Sequence, residues 1–226
     1  DRIGVRSMYF GKNSNSYGFS SELKCLHNLF TDIEPFPPGH TWSNKTNNYH
    51  KYFSSFEYIP KELSNNYDLQ NIYDNIYNLF TKSIKKRLMS DRPIGCLLSG
   101  GFDSSIVAAI LSRLIKPNIL NTFSVGLEGS PDLKFAKIVS DHIGSNHHEV
   151  IVSENEMLNF IEEDIRIIET YDTTTVRAST PMLLLSKYIK KNTDITVVFS
   201  GEGSDEESGS YLYFHNAPCS NSFAKE

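Results

Sequence analysis

The second half of the chain alternates between short apolar runs and longer amphipathic stretches. Four apolar runs predict β-strands near residues 94–98, 119–125, 148–152 and 195–199. Around these runs apolar residues recur at helical spacing, which predicts helices near residues 68–89, 104–115, 132–142, 154–170 and 181–191. Strands that alternate with helices in this way are typical of a parallel sheet covered by helices. We therefore predict an α/β fold for this part of the chain.

The turn between the first strand and the next helix has the composition of a phosphate-binding loop. It reads Leu-Leu-Ser-Gly-Gly-Phe-Asp-Ser-Ser over residues 97–105. Gly100 and Gly101 allow the backbone to curl with its N–H groups pointing inward, and the helix that follows adds positive potential. Further hydroxyl donors come from Ser99, Ser104 and Ser105. A short Gly-rich turn capped by polar residues is the simpler reading, but a strand before it and a helix after it favour nucleotide binding.

Asp103 changes the expected chemistry of this loop. A carboxylate beside phosphate oxygens repels them unless a divalent cation lies between, and Mg²⁺ is the usual ion. The loop also differs from the common P-loop, because the chain contains no G-x-x-x-x-G-K-[ST] sequence. The motif instead resembles the pyrophosphate loop of the N-type ATP pyrophosphatases, which cleave ATP between the α and β phosphates.

A second loop follows the fourth predicted strand and is rich in carboxylates. Residues 200–206 read Ser-Gly-Glu-Gly-Ser-Asp-Glu. A solvated acidic turn is the alternative. However, ligands of open parallel sheets bind beyond the carboxyl ends of the strands where the strand order reverses. Because pyrophosphatase-like sheets place the fourth strand beside the first, we predict that Asp103 and Asp205 share one Mg²⁺ ion.

Several longer strings resemble the synthetase domain of the glutamine-dependent asparagine synthetases. They occupy residues 124–132, 147–149, 169–172, 176–181 and 211–215. The resemblance implies a parallel α/β sheet of the N-type ATP pyrophosphatase kind and an ATP-dependent amidation of aspartate to asparagine. The reaction would pass through an aspartyl-adenylate and release AMP and pyrophosphate. The implied partners are aspartate, ATP, Mg²⁺ and glutamine-derived ammonia, and the full-length protein is implied to form a homodimer.

The resemblance also implies roles for individual residues. ATP and pyrophosphate binding would involve Leu97, Ser99, Gly100, Gly101, Asp103, Ser104, Ser105, Val125, Ser200 and Gly201. The metal ligands would be Asp103 and Asp205. Glu202 matches the glutamate that handles the aspartate amino group or the ammonia, and Thr174 and Arg177 match residues that activate the aspartate carboxyl group.

A cation is also needed on physical grounds, because in this reaction a carboxylate must approach a phosphate. The planar guanidinium of Arg177 suits either anion. A surface ion pair is the alternative role for Arg177, and residues 173–175 are equally compatible with an extended segment.

The start of the chain resembles a different domain of the same family. Residues 1–11, 19–24 and 35–40 are similar to the closing strands and helix of its N-terminal-nucleophile glutaminase domain. The nucleophile of that domain is an N-terminal cysteine, whereas this chain begins with Asp1. Its cysteines are Cys25, Cys96 and Cys219, in positions that suit buried or incidental thiols. We expect no glutamine hydrolysis from these residues.

These observations predict three parts. Residues 1–58 form a partial glutaminase domain, residues 59–67 a linker, and residues 68–226 an ATP-binding domain that lacks the C-terminal part found in the family. The family has a hydrophobic pair and two glycines where this chain has Glu-Ser-Gly-Ser at residues 207–210. Two alternatives stay open: a ligase that uses the same adenylation to close a β-lactam ring, and an inactive nucleotide-binding or assembly module.

Composition adds little to this picture. The chain has 226 residues and a net charge of -5, which gives no reason to expect nucleic acid or a membrane as a partner. No apolar run reaches transmembrane length, no signal sequence is present, and the cysteines lack paired spacing, so we predict a cytoplasmic protein. His147 and His148 do not predict a zinc site, because successive strand residues point to opposite faces.

Overall fold

The computed structural model describes residues 1–54, 68–219 and 222–223. The chain divides into two compact units, Asp1–Leu63 and Ser64–Glu226. The predicted linker at residues 59–67 lies outside the described residues, so the predicted domain limits on either side of it remain predictions.

The first unit contains two small antiparallel sheets. A three-stranded sheet has the order β2-β1-β3, with β1 at Tyr9–Lys12, β2 at Tyr17–Ser20 and β3 at Asp32–Pro35. β4 (His40–Ser43) pairs with β5 (Asn48–Lys51) in a hairpin. These strands are short because apolar and polar residues alternate over only a few positions between turns.

Aromatic rings hold this unit together. Phe10 in the central strand is only 2% exposed, and its ring centroid lies 4.8 Å from that of Trp42 in β4. The rings of Tyr17, Phe19 and Tyr49 also contact Phe10. Aromatic contacts of this kind bury large areas and join the hairpin to the three-stranded sheet.

The second unit is an α/β domain. In chain order its elements are α1 (Leu69–Arg87), β6 (Ile94–Leu97), α2 (Phe102–Leu114), β7 (Asn121–Gly126), α3 (Pro131–Ile143), β8 (Asn146–Ile151), α4 (Glu154–Ile168), α5 (Thr173–Asn192), β9 (Val197–Phe199) and α6 (Ser204–Ser208). The four strands form a parallel sheet of order β8-β7-β6-β9. The predicted α/β fold is therefore confirmed, and so is the predicted position of the fourth strand beside the first.

The predicted start of α5 is wrong. The sequence pattern predicts a helix that begins at Pro181, whereas the structure has a helix from Thr173 to Asn192 that continues through this proline. The side chain of Asp172 accepts a hydrogen bond of 2.8 Å from the backbone N–H of Thr175 and caps the N-terminus of α5. The threonine run at residues 173–175 thus forms a first helical turn and not an extended segment.

The core lies on both faces of the parallel sheet. One apolar cluster joins β6 to α2 and includes Cys96, Leu98 and Leu111, all at most 1% exposed. A second cluster joins β7 to α5 through Phe123 and Leu185. These two apolar layers hold the carboxyl ends of β6, β7 and β9 in place. Ligands of open parallel sheets bind beyond these ends of the strands.

Part of the apolar surface remains exposed among the described residues. The apolar face of α1 is covered only near its end, where Ile84 is 4% exposed, whereas Ile76 and Leu79 are 60% and 67% exposed. Within the described part of the chain, β9 pairs with β6 alone, and Val198 is 42% exposed. Within the described residues, β9 is therefore an exposed edge of the sheet. No described helix is long and apolar enough to cross a lipid bilayer.

Candidate functional site

Two loops meet at the carboxyl ends of neighbouring strands. In the parallel pair β6 and β9, Cys96 lies opposite Phe199, so the loops that follow both strands begin side by side. The hydroxyl group of Ser204 donates a hydrogen bond of 2.8 Å to Oδ1 of Asp103 and joins the two loops. A Cβ atom on Gly201 would lie 2.9 Å from the backbone nitrogen of Ser104. Such a distance is too short, so a glycine is needed for the loops to approach this closely.

The first loop is shaped by Gly100. This residue has φ of 83°, in the left-handed region that favours glycine. A Cβ atom there would lie 2.6 Å from the carbonyl carbon of Phe135 and would overlap the backbone nitrogen of Ala136 in α3. Gly100 therefore supplies both the turn and a close approach of the loop to α3.

The serines of this loop are bonded to one another and to the backbone. Ser99 Oγ lies 2.9 Å from Ser104 Oγ, and the hydroxyl group of Ser105 donates a hydrogen bond of 2.6 Å to the carbonyl oxygen of Gly101. Gly101 caps α2 without any side-chain hydrogen bond. The N-terminus of α2, with its positive partial charge, therefore lies beside the hydroxyl groups that were predicted to bind phosphate.

The second loop leads into the short helix α6, which carries three carboxylates. The Ser210 hydroxyl group donates a hydrogen bond to Oδ1 of Asp205. The Tyr211 hydroxyl group donates one of 2.6 Å to Oε1 of Glu206. That hydrogen bond to a carboxylate is the main cause that raises the pKa of Tyr211 to about 12. Tyr211 therefore remains a protonated donor that orients Glu206 at neutral pH.

A cavity of about 370 Å³ opens between the two loops and α5. Ten of the residues predicted from the sequence line it: Leu97, Ser99, Gly101, Asp103, Ser104, Val125, Ser200, Gly201, Glu202 and Asp205. Its apolar side is formed by the side chains of Leu97, Phe123, Val125, Met182 and Leu185. An apolar wall facing a polar, phosphate-sized loop suits a ligand with a flat base at one end and charged groups at the other.

Four predicted residues do not line this cavity. Gly100 and Ser105 lie in the first loop, and Thr174 and Arg177 lie exposed in the first turns of α5. The roles predicted for these four residues remain predictions.

The sequence reasoning missed one wall of the cavity. Ala178, Pro181, Met182 and Leu185 line it and share one face of α5, since residues three and four apart in a helix are neighbours. This spacing is visible in the sequence, but it was not recognised because the predicted helix begins at Pro181. Ser204, which joins the loops, was also missed.

Glu207 lies on the opposite side of the second loop. It lines a separate groove of about 540 Å³ between α1, α2 and the end of β9, together with Ile76, Phe102 and Phe199. Glu207 and Ser208 are exposed. These two residues depart from the family pattern, but among the described residues neither side chain is buried. The departure therefore carries no free-energy cost of burying a polar or charged group.

The carboxylates of the cavity fit a magnesium ion. Asp103 and Asp205 come from different loops and line the same space. Among the described residues, no group of three or more acidic, histidine or cysteine side chains is arranged to hold a metal ion alone. Mg²⁺ typically uses one or two carboxylates and completes its octahedron with substrate phosphates and water. Two aspartates beside a phosphate-sized loop match that donor set.

Comparison with known proteins decides the family. The asparagine synthase family model matches residues 75–226. The chain belongs to the asparagine synthase family. A glutamine-hydrolyzing asparagine synthetase of Gallus gallus is 44% identical, over 100% of this chain and 45% of the relative. A probable glutamine-hydrolyzing asparagine synthetase of Acanthamoeba polyphaga mimivirus is 42% identical, again over 100% of this chain and 45% of the relative. The chain spans about half the length of the curated relatives that it matches.

Solved structures with a similar backbone include NAD synthetases. An NH3-dependent NAD synthetase from Campylobacter jejuni has a TM-score of 0.41 and 18% identity, over 65% of this chain and 62% of that chain.

Proposed function

We propose that this chain is the ATP-binding part of an enzyme that converts aspartate to asparagine through an aspartyl-adenylate, with release of AMP and pyrophosphate. The observation that supports this most is the meeting of the loops after β6 and β9 at one cavity that carries Asp103 and Asp205. The names of its relatives in the asparagine synthase family support the same reaction. In the full-length enzyme, the ammonia would come from glutamine.

The cavity suggests how ATP is held. The adenine base would pack on the apolar wall that includes Leu97 and Val125, and the phosphates would lie against the first loop at residues 99–105. Bound Mg²⁺, held by Asp103 and Asp205, would supply the positive charge that phosphate oxygens need among carboxylates. The N-terminus of α2 and the backbone N–H groups of the loop would add to this positive potential.

The second substrate would bind on the side of the cavity formed by Glu202 and α5. Glu202 lines the cavity and would hold the aspartate amino group or the incoming ammonia. Thr174 and Arg177 lie in the first turns of α5, close in sequence to the lining residue Ala178. We propose that Arg177 reduces the repulsion between the aspartate carboxylate and the α phosphate, which must approach each other for the adenylate to form.

The cellular setting follows the same proposal. We place the enzyme in the cytoplasm and propose that the full-length protein forms a homodimer, with no nucleic acid or membrane partner. The net charge of -5 and the lack of a membrane-spanning helix among the described residues are consistent with this setting.

An inactive nucleotide-binding module is the second candidate, and one contact favours it. The hydrogen bond from Ser210 occupies Oδ1 of Asp205, the carboxylate proposed to bind Mg²⁺. A hydroxyl group in that place competes with a metal ion for the same oxygen. In this case the chain would bind ATP but would not form an adenylate.

Exchange of labelled pyrophosphate into ATP separates the two candidates. In the full-length enzyme, a reversible adenylation predicts exchange that requires aspartate, while an inactive module predicts ATP binding without exchange. Arg177→Ala should lose about 2–4 kcal/mol of transition-state stabilisation, in the range of other electrostatic donors. Lys190→Ala, at the far end of the same helix, is the matched control and should keep full exchange.

A second assay in the same experiment tests Glu202. With ammonium as the nitrogen source, Glu202→Gln should lower asparagine formation more than it lowers ATP binding. Exchange that does not need aspartate, or normal asparagine formation by both Arg177→Ala and Glu202→Gln, would reject the proposed roles.

A further inference from the structure

The helix that forms one wall of the cavity is anchored unevenly. The second half of α5 is fixed in the core, where Leu185 and Ile189 are 2% and 6% exposed and pack with Phe123 and Ile195. In the first half, before Pro181, only Thr180 is buried. That half includes the lining residue Ala178 and carries Thr174 and Arg177.

Pro181 weakens the helix between these two halves. Proline has no backbone N–H group, so the carbonyl group of Arg177 lacks the donor that residue 181 would otherwise supply. Prolines inside helices commonly cause kinks for this reason. The direction of the first half is therefore not set by the second half alone, and a contact with another element is needed.

Asp164 in α4 makes that contact. Its side chain is fully buried, and Oδ2 accepts hydrogen bonds of 2.8 Å from the Ser179 hydroxyl group and 2.5 Å from the Thr180 hydroxyl group. Within the described residues, Oδ1 is buried and has no hydrogen-bond partner. Burial of an incompletely bonded carboxyl group is costly. Stability alone therefore does not explain a carboxyl group at this position.

The hydroxyl groups have another acceptor inside their own helix. The carbonyl oxygen of Val176 lies 2.9 Å from Thr180 Oγ1 and 3.3 Å from Ser179 Oγ. Loss of Asp164 would therefore leave both hydroxyl groups hydrogen-bonded within α5. What would be lost is the link between α4 and the first half of α5.

We infer that Asp164 is a positioning residue for the nucleotide site. By holding Ser179 and Thr180, it fixes the part of α5 that precedes Pro181, and so sets the position of Ala178 at the cavity and of the neighbouring residue Arg177. The link between the helices stands on the contacts described here, whereas its effect on nucleotide binding rests on the proposed function.

A neighbouring link in the same helix pair provides the control. Glu163 of α4 accepts a hydrogen bond of 2.9 Å from Lys187, which lies in the second half of α5 and also sits 4.0 Å above the Phe160 ring. Glu163→Gln weakens a contact between α4 and the second half of α5. It leaves the contact between α4 and the first half of α5 intact. It should therefore leave the first half of α5 unchanged.

Substitutions at Thr180 distinguish positioning from simple packing. Thr180→Val keeps the volume of the buried side chain but removes the hydroxyl group, while Thr180→Ser keeps the hydroxyl group and removes a buried methyl group. A packing role predicts that Thr180→Ser is the more harmful change. A positioning role predicts the reverse for nucleotide affinity, because only Thr180→Val removes the shorter of the two hydrogen bonds to Asp164.

The test combines backbone amide hydrogen exchange with calorimetric titration of Mg-ATP, at a temperature where every variant is folded. Thr180→Val, which removes one hydrogen bond to Asp164, should speed exchange at residues 176–180 by about 5- to 10-fold. Asp164→Val, which removes the bonds from both Ser179 and Thr180, should speed it at least as much. Both should also weaken Mg-ATP binding by about threefold or more, and the double variant should lose little beyond Asp164→Val alone. Thr180→Ser and Glu163→Gln should resemble the unaltered chain in both measurements.

Unchanged exchange at residues 176–180 in Asp164→Val, or weaker binding by Thr180→Ser than by Thr180→Val, would overturn the inference. If the unaltered chain does not bind Mg-ATP, the proposed function fails. The exchange measurement alone then decides whether Asp164 fixes the first half of α5.

Discussion

The two adjacent glycines of the first loop should differ sharply in their tolerance of alanine. Gly100 has a φ of 83°, and a Cβ atom there would lie 2.6 Å from the carbonyl carbon of Phe135 in α3. Gly101 has a φ of -68°, which any residue adopts, and the nearest atom to its added Cβ is Ser99 Oγ at 3.4 Å. Substitution by alanine adds the same methyl group at both positions. At Gly100 it meets the backbone of α3, whereas at Gly101 it makes only an ordinary contact.

The expected magnitude for Gly100→Ala follows from two costs. A left-handed conformation costs an alanine about 1–2 kcal/mol. Overpacking against neighbouring atoms costs about 1–3 kcal/mol more. Here the neighbouring atoms belong to the backbone of α3, so they cannot move aside by a rotamer change. The free energy of unfolding should fall by about 2–5 kcal/mol, which lowers the melting temperature of a unit this size by about 4–20 °C.

Thermal and urea unfolding followed by circular dichroism measure this difference. Gly101→Ala is the matched control, and its free energy of unfolding should stay within about 1 kcal/mol of the unaltered chain. If Gly100→Ala is as stable as Gly101→Ala, the close approach of the loop to α3 is wrong. Equal and large losses in both variants would also refute the reasoning.

Two further predictions concern ionisable groups. At the start of α4, the backbone N–H and hydroxyl groups of Ser153 donate hydrogen bonds to the Glu156 carboxylate and lower its pKa. This capping interaction stabilises α4 at neutral pH. The stabilisation is lost as the pH falls through the lowered pKa of Glu156. Ser153→Ala keeps the backbone N–H donor and removes only the hydroxyl donor, so NMR titration should show a partial rise in the pKa of Glu156, and an unchanged value would contradict the hydroxyl contact. Burial raises the pKa of the Cys96 thiol to about 12, whereas Cys25 and Cys219 are exposed. A thiol reagent at pH 8 should modify Cys25 and Cys219 in the folded chain and Cys96 only after unfolding, and rapid modification of Cys96 in the folded chain would contradict its burial.

Much of the site could be predicted because its chemistry is local in sequence. The loop at residues 97–105 is short, and its glycines, serines and aspartate indicate phosphate binding without knowledge of the fold. The pairing of β6 with β9 was predicted from the resemblance to the N-type ATP pyrophosphatases, whose sheets place the fourth strand beside the first. The register of Cys96 opposite Phe199 confirms the outcome.

The cavity wall formed by α5 was not predicted, because the start of this helix was placed too late in the sequence. Pro181 usually marks a helix boundary, but here the Asp172 cap starts the helix two turns earlier. Placing the start at Pro181 hides the shared face of Ala178 and Met182. The sequence pattern also did not predict which apolar side chains are buried. Ile76 belongs to the apolar face of α1 and yet is 60% exposed. Periodicity shows which residues share a face, but not what covers it.

Asp103 and Asp205 are proposed to hold Mg-ATP between the two loops. Calorimetric titration with ATP, with and without Mg²⁺, tests this directly. Asp103→Asn and Asp205→Asn should each reduce the Mg²⁺-dependent affinity for ATP by about tenfold or more, the value of one lost charged contact. Asp141→Asn, which removes an exposed carboxylate paired with Lys137 on α3, should bind as the unaltered chain does. Unchanged Mg²⁺-dependent affinity in folded Asp103→Asn and Asp205→Asn would contradict the account.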